Sequence, residues 1–246
     1  MLDYNALAFD YARHRTVHPG VHKELLNCLH HSSMSRVLEV GCGTGNYIWS
    51  LAKCVRCNCW GIDSSTEMLD QASQHGDSVS FKIGRGEDLR FDSDFFDLIF
   101  TVDVIHHISH CSDYFCSALR VLKPGGLLCT VTDSEWIIRN RSPLSKYFPE
   151  TVEVELRRYP SIDVLREEMG RAGFSFSGAE MVEFQYTLTD CAPYRAKAYS
   201  ALHLIAPEAF ERGLAQLEND TQSKPVPCTS RYIMLWCIKP SQPMMA

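Results

Sequence analysis

Residues 37–47 read VLEVGCGTGNY, and this stretch decides the fold. Val37, Leu38 and Val40 form a short apolar run, the pattern of a strand buried on both faces of a parallel sheet. Gly41, Gly43 and Gly45 follow at every second position, so the chain must turn sharply and let its backbone come close to something. Beyond them Tyr47, Ile48, Leu51 and Ala52 fall at helical spacing. A strand, a glycine loop and a helix N-terminus in that order make a site for one end of a nucleoside ligand. The dinucleotide fingerprint G-x-G-x-x-G fails here, because Asn46 stands where its third glycine belongs.

Downstream, Cys59-Trp60-Gly61-Ile62-Asp63 reads as a second strand ending in an acid, 18 residues after Gly45. A carboxylate at that strand tip, about 20 residues past the loop, can accept hydrogen bonds from both ribose hydroxyls. SSTEMLDQA then opens a helix, capped by Ser64 or Ser65, with Met68 and Leu69 beginning its apolar face. Val79, Phe81 and Ile83 alternate as a third strand, and 95–102 is a strongly apolar fourth. Parallel α/β sheets bind ligands at the carboxyl ends of their strands, which points to Thr101, Val102 and Asp103. His106 and His107 follow, and either could act as a general base, since imidazole titrates near neutral pH; packing on the next helix is the alternative role. Lys123-Pro124-Gly125-Gly126 ends a helix before a fifth strand, 127–133. A helix over SIDVLREEMGRAGF ending at Gly173, a sixth strand in AEMVEFQYTLT, helical material over 191–220, a polar loop over 219–228 and a seventh strand in RYIMLWCIKP complete the chain.

The chain has 246 residues, 45% of them hydrophobic, enough for a sizeable core. A net charge of -6 disfavours nucleic acid or an anionic membrane as partner. No apolar run approaches the roughly 20 residues of a membrane span, and MLDYNALAFDYARHR carries no signal-peptide core, so a cytoplasmic location is expected. The eleven cysteines are odd in number and irregular in spacing, as expected of reduced thiols. Cys54, Cys57 and Cys59 form C-x-x-C-x-C, but no second paired set follows at zinc spacing, and no metal is expected.

The run E-V-G-C-G-T-G from Glu39 resembles motif I of the class I methyltransferases that use S-adenosyl-L-methionine, and F-D-L-I-F from Phe96 and L-K-P-G-G from Leu122 resemble further signatures of that family. The resemblance covers roughly residues 34–135. It implies a Rossmann-like α/β fold, a seven-stranded, mostly parallel sheet with helices on both faces and a last strand inserted antiparallel beside the fifth. It also implies one domain over 1–246: lid helices in 1–33, a cofactor-binding core in 34–135, substrate-cap segments in 136–160 and 191–224, and 161–190 with 229–240 completing the sheet. The implied cofactor site comprises Glu39, Gly41, Cys42, Gly43 and Asn46 in the loop, Asp63 and Ser64 at the ribose, Met68, Gly86 and Glu87 at the adenine, and Val102 and Asp103 near the sulfur. The segment FDYARHRTVHP resembles the family's N-terminal lid, which implies Tyr11 and Arg15 near the methionine end; a solvated helix face is the other reading. The implied reaction is methyl transfer to a small-molecule acceptor, with S-adenosyl-L-homocysteine as product. Oxygen, nitrogen, carbon and sulfur acceptors all stay open. Trp136, Tyr147 and Tyr194 in the cap are candidates for the acceptor pocket, with plain cap core as their other role. A cofactor-binding protein without transferase activity and an NAD-dependent oxidoreductase are the competing functions.

Overall fold

The computed structural model describes residues 16–30 and 36–241. Seven strands form one sheet: β1 (Arg36–Val40), β2 (Asn58–Asp63), β3 (Val79–Ile83), β4 (Phe96–Val102), β5 (Leu122–Thr132), β6 (Ser175–Leu188) and β7 (Val226–Ile238). Their spatial order is β3-β2-β1-β4-β5-β7-β6. The first five pair in parallel, and β7 lies antiparallel between β5 and β6, as the resemblance implied. The order reverses between β1 and β4, so a crevice opens above the carboxyl ends of those two strands.

Helices α1 (Pro19–His30), α2 (Asn46–Cys54), α3 (Thr66–Ser73), α4 (Cys111–Val121) and α8 (Ile162–Ala172) flank the sheet. The cap is built from α5 (Glu135–Arg139), α6 (Leu144–Tyr147), α7 (Glu150–Arg158), α9 (Ala192–Arg195) and α10 (Pro207–Ser223). Two apolar cores cover the sheet's faces, one around Leu38, Phe96 and Phe115, the other around Leu25, Ile48 and Phe100. A third joins Tyr147 and Phe148 to Tyr194, Leu202 and Leu217, so the two cap segments pack on each other.

Local chemistry sets the helix ends. Ser65 rather than Ser64 caps α3, its hydroxyl accepting from the Met68 N–H at 3.2 Å. Ser161 caps α8, and Gly173 closes it at φ 104°. Four expectations shift. The sixth strand begins at Ser175 rather than 179 and the seventh at Val226 rather than 231, because the two pair along their whole length from Ser175 with Ile238 to Leu188 with Val226. The polar run 219–223 is the solvent face of α10, which continues to Ser223 because Leu217 is buried beneath it; Lys224, held extended by Pro225, ends the helix. The fifth strand begins at Leu122 rather than 127, because Phe96 pairs with Leu122 and Lys239 of the last strand's exit bonds across Gly125 and Gly126 at 2.8 and 2.9 Å. The proposed lid residues Tyr11 and Arg15 lie outside the described residues. Among the described residues no helix is long and apolar enough to cross a membrane.

Candidate active site

The glycine loop leaves β1 at the sheet's carboxyl edge. Gly41, Gly43 and Gly45 all have positive φ, at 70°, 52° and 77°, a conformation that glycine adopts without steric cost. A Cβ at Gly41 would stand 2.5 Å from the Val104 side chain, so the loop lies hard against the turn that follows β4. Gly45 takes the cap position of α2 and has no side chain to offer. Glu39 fills that role from the strand: its buried carboxyl accepts from the Ile48 N–H at 3.0 Å. Burial holds the Glu39 carboxyl well above the ordinary carboxylate range, and Asp63 nearby adds to the effect.

Asp63 closes the loop from the tip of β2. One oxygen accepts from the Gly43 N–H at 2.8 Å and the other from the Ser65 N–H at 2.9 Å. Each carboxylate oxygen keeps a second lone pair, so the group can still receive two hydroxyl donors. Cys42 is buried against β2, Asn46 opens α2, Ser64 is exposed beside Asp63, and Met68 is buried on α3. A Cβ at Gly86 would meet Tyr114 at 3.1 Å, while Glu87 accepts from the Ser109 N–H at 3.2 Å. The positive-φ glycine turn and the acid at the neighbouring strand tip are the kind of arrangement that accommodates an adenosyl group.

A cavity of about 470 Å³ adjoins this edge. Asp103 and Asp133 line its floor from the ends of β4 and β5; Arg141, Leu144, Glu155 and Tyr159 line it from the cap; Tyr194, Tyr199 and Ser200 form another wall. His18, Tyr47, Phe184, Tyr186 and Tyr232 complete it. Asp103 adopts φ 57°, which Asp tolerates better than most residues, and its carboxylate accepts from the Tyr159 hydroxyl at 2.6 Å. Arg141 bridges Asp133 and Glu155, and Arg158 holds the other Glu155 oxygen at 2.6 Å. Asp133, Glu155 and Tyr159 are buried, so leaving any of them unpaired would be costly.

The sequence-derived substrate residues fall in three places. Tyr194 lines the cavity. Tyr147 is buried in the cap core and donates its hydroxyl to Asp220 at 2.7 Å, away from the lining. Trp136 is 54% exposed under the Arg231 guanidinium, outside the lining, because the first turn of α5 points it to solvent while Ile137 and Ile138 pack inward. Neither candidate base lines the cavity. His107 is exposed. His106 lies behind Tyr159, its ring stacked at 3.9 Å, with Nδ1 3.8 Å from the Asp103 carboxylate. Burial drives its pKa well below 6.5, so its ring is neutral at neutral pH. Sequence reading missed Asp133, Arg141, Glu155 and Tyr159. For Asp133 a signal existed: the strand-end rule that singled out Asp103 on β4 applies equally to β5.

Strand order, glycine loop and strand-tip acid are together the features of the class I methyltransferase fold, whose members use S-adenosyl-L-methionine. Residues 38–130 match the methyltransferase domain family. The sterol 24-C-methyltransferase of Kluyveromyces lactis is 25% identical over 150 residues, 56% of this chain and 40% of that enzyme. The ubiquinone biosynthesis O-methyltransferase of Agrobacterium fabrum is 26% identical over 138 residues, 52% of each chain. The matches thus span about half or less of these relatives' lengths. The structure of a Haemonchus contortus phosphoethanolamine N-methyltransferase, in complex with phosphomonomethylethanolamine and S-adenosylhomocysteine, superposes with a TM-score of 0.59 at 20% identity. That likeness covers 96% of this chain and 57% of the nematode enzyme, and it extends the shared fold across nearly all of the present sequence.

Proposed function

We propose that this protein transfers a methyl group from S-adenosyl-L-methionine to a small molecule held in the 470 Å³ cavity. The observation that carries the reading is the meeting of two sites at Asp103: the β4 tip both borders the glycine loop's crevice and lines the cavity. The size is that of a pocket for a small organic ligand rather than a polymer. The named acceptors of the relatives, a sterol, a ubiquinone precursor and a phosphoethanolamine, are all small molecules, which supports the class and leaves the acceptor open.

The bound cofactor brings its own activated methyl group, so the protein's task is alignment and exclusion of water. Asp63 receives the ribose hydroxyls, and the glycine-rich loop from Gly41 to Gly45 lets the cofactor approach the backbone at the carboxyl edge of the sheet. Asp103, pinned by Tyr159, separates the cofactor's crevice from the acceptor's chamber. His106 supports Tyr159 from behind and thereby fixes Asp103; this is a positioning role. The tyrosine-rich walls hold the acceptor's body.

Calorimetry on ligand-free protein tests the first half. S-adenosyl-L-homocysteine should bind with one-to-one stoichiometry while NAD gives no heat; no heat with the former would end the reading. Transfer of a labelled methyl group to a small-molecule library tests the second half, and cofactor binding without turnover on any acceptor would favour a non-catalytic protein.

A further inference from the structure

Asp133 on the cavity floor has a carboxylate oxygen without a hydrogen-bond partner among the described residues. Asp133 is 4% exposed, and both the Nε and a terminal nitrogen of Arg141 go to its Oδ2. In the usual fork each carboxylate oxygen takes one N–H. Here the guanidinium sits at one oxygen, and among the described residues Oδ1 has no hydrogen-bond partner. A buried acceptor left unmet is costly, and because Asp133 also lines the cavity, a ligand's N–H or O–H there would relieve it. The neighbouring carboxylates are differently engaged: Glu155 gives its two oxygens to Arg141 and Arg158, and Asp103 takes the Tyr159 hydroxyl.

The strand register puts Asp133 beside Asp103. Val131 pairs with Val102 across β5 and β4, and the Asp103 N–H donates to the Val131 carbonyl at 2.9 Å. Asp133 follows two residues later, at the tip next to Asp103, and both line the cavity.

We propose that Asp133 is the residue that receives the proton of the acceptor's reacting atom, and that this atom is therefore a nitrogen or oxygen bearing hydrogen. The inference rests on the methyl-transfer reading above. The N–H or O–H donates to Oδ1, which turns a lone pair of that atom toward the methyl carbon. That lone pair forms the new bond as the carbon–sulfur bond breaks, its electrons staying on sulfur, and the proton passes to Oδ1. Asp133 suits the task chemically. Burial and the charges of Asp103 and Glu155 push its pKa up to about 7, against the lowering pull of Arg141. Tyr159 and Arg158 on the α7 side and neutral His106 beside Asp103 complete its charged and titratable surroundings. A base with a pKa near ambient pH combines a populated basic form with useful proton affinity.

Neutral probe pairs that differ in the hydrogen on the heteroatom test this: phenol against anisole, aniline against N,N-dimethylaniline, indole against 1-methylindole. Their binding to protein saturated with S-adenosyl-L-homocysteine is measured by calorimetry and thermal shift. The hydrogen-bearing member of a pair should bind about tenfold tighter or better, as expected of a bond to a charged acceptor. In Asp133→Asn the guanidinium claims the amide oxygen and the NH₂ faces the cavity, so the preference should vanish while S-adenosyl-L-homocysteine affinity stays unchanged. Equal binding of both members in every pair, or a preference that survives in Asp133→Asn, overturns the proposal. Should Asp133→Asn fold poorly, the wild-type pairs still decide. A wild-type protein that does not bind S-adenosyl-L-homocysteine at all condemns the methyl-transfer reading instead.

Discussion

Asp63 is a single side chain on which two structures depend. Its oxygens pin the Gly43 and Ser65 N–H groups, so the carboxylate fixes the glycine loop and the start of α3, and in the proposed function it also receives the ribose hydroxyls. Asp63→Ala should therefore weaken S-adenosyl-L-homocysteine binding by roughly 1–3 kcal/mol, read as a shift in the calorimetric Kd; an unchanged Kd would contradict its assignment. The pH dependence has a defined sign. Burial raises the Asp63 pKa above 3.8, and the ionised form is the better hydroxyl acceptor. Affinity should fall as pH drops through that raised pKa, beginning at a higher pH than for an ordinary Asp, and the fall should be missing in Asp63→Ala. Asp63 was legible in the sequence because strand, loop and acid lie within one βαβ stretch. Asp133, Arg141, Glu155 and Tyr159 were not, because their meaning lies in a contact between the β5 tip and α7, which no local spacing encodes. The pair His106 and His107 shows the opposite failure: a chemically suggestive dipeptide whose members fall, one behind Tyr159 and one in solvent, off the cavity lining.

At the scale of elements, the sheet was readable because each strand carries its own apolar run and its own terminator. Only borders moved: β6 and β7 begin earlier, at Ser175 and Val226, and at Leu122 and Ser223 pairing with a distant strand or burial of one helix face overrode a local breaker. The cap was less readable, since its helices are short and its core comes from both segments. Gly213 shows why. In the sequence it is an ordinary glycine inside α10, and helix propensity alone says that Gly213→Ala should stabilise by up to about 1 kcal/mol. In the structure a Cβ there would stand 2.3 Å from the Tyr147 carbonyl oxygen and 2.5 Å from the Phe148 ring, with backbone on one side and a fully buried ring on the other. Neither neighbour can yield cheaply, and overpacking of this kind costs about 1–3 kcal/mol. The clash wins. Gly213→Ala should lower Tm by several degrees, and the Tyr147 to Asp220 bond that ties α6 to α10 should loosen with it. A raised Tm in scanning calorimetry would mean that α10 and α6 do not meet at Gly213.

For the molecule as a whole, the cavity draws its lining from far-separated parts of the chain. Thr16 to His18 come from before α1 and Pro19 from its start, Asp103 and Asp133 from the middle of the sheet, Tyr194 and Tyr199 from the cap, and Thr229 to Tyr232 from the last strand. Further ties join these parts: the Tyr47 hydroxyl accepts from the His18 N–H at 2.9 Å, and the His18 ring bonds the Ser230 carbonyl at 3.2 Å. A ligand held in the crevice between β1 and β4 therefore belongs to the native arrangement and to no unfolded one, and mass action fixes what it adds. At one hundred times its Kd, S-adenosyl-L-homocysteine should stabilise the folded chain by about 2.7 kcal/mol. For a domain of this length each kcal/mol is worth roughly 2–4 °C, so Tm should rise by about 5–11 °C. In Asp63→Ala the same absolute concentration lies nearer the weakened Kd, and the rise should shrink by the logarithm of the affinity lost. A wild-type shift that matches calorimetric affinity would tie the binding site to global unfolding. A full-sized shift in Asp63→Ala would place the ligand elsewhere on the protein.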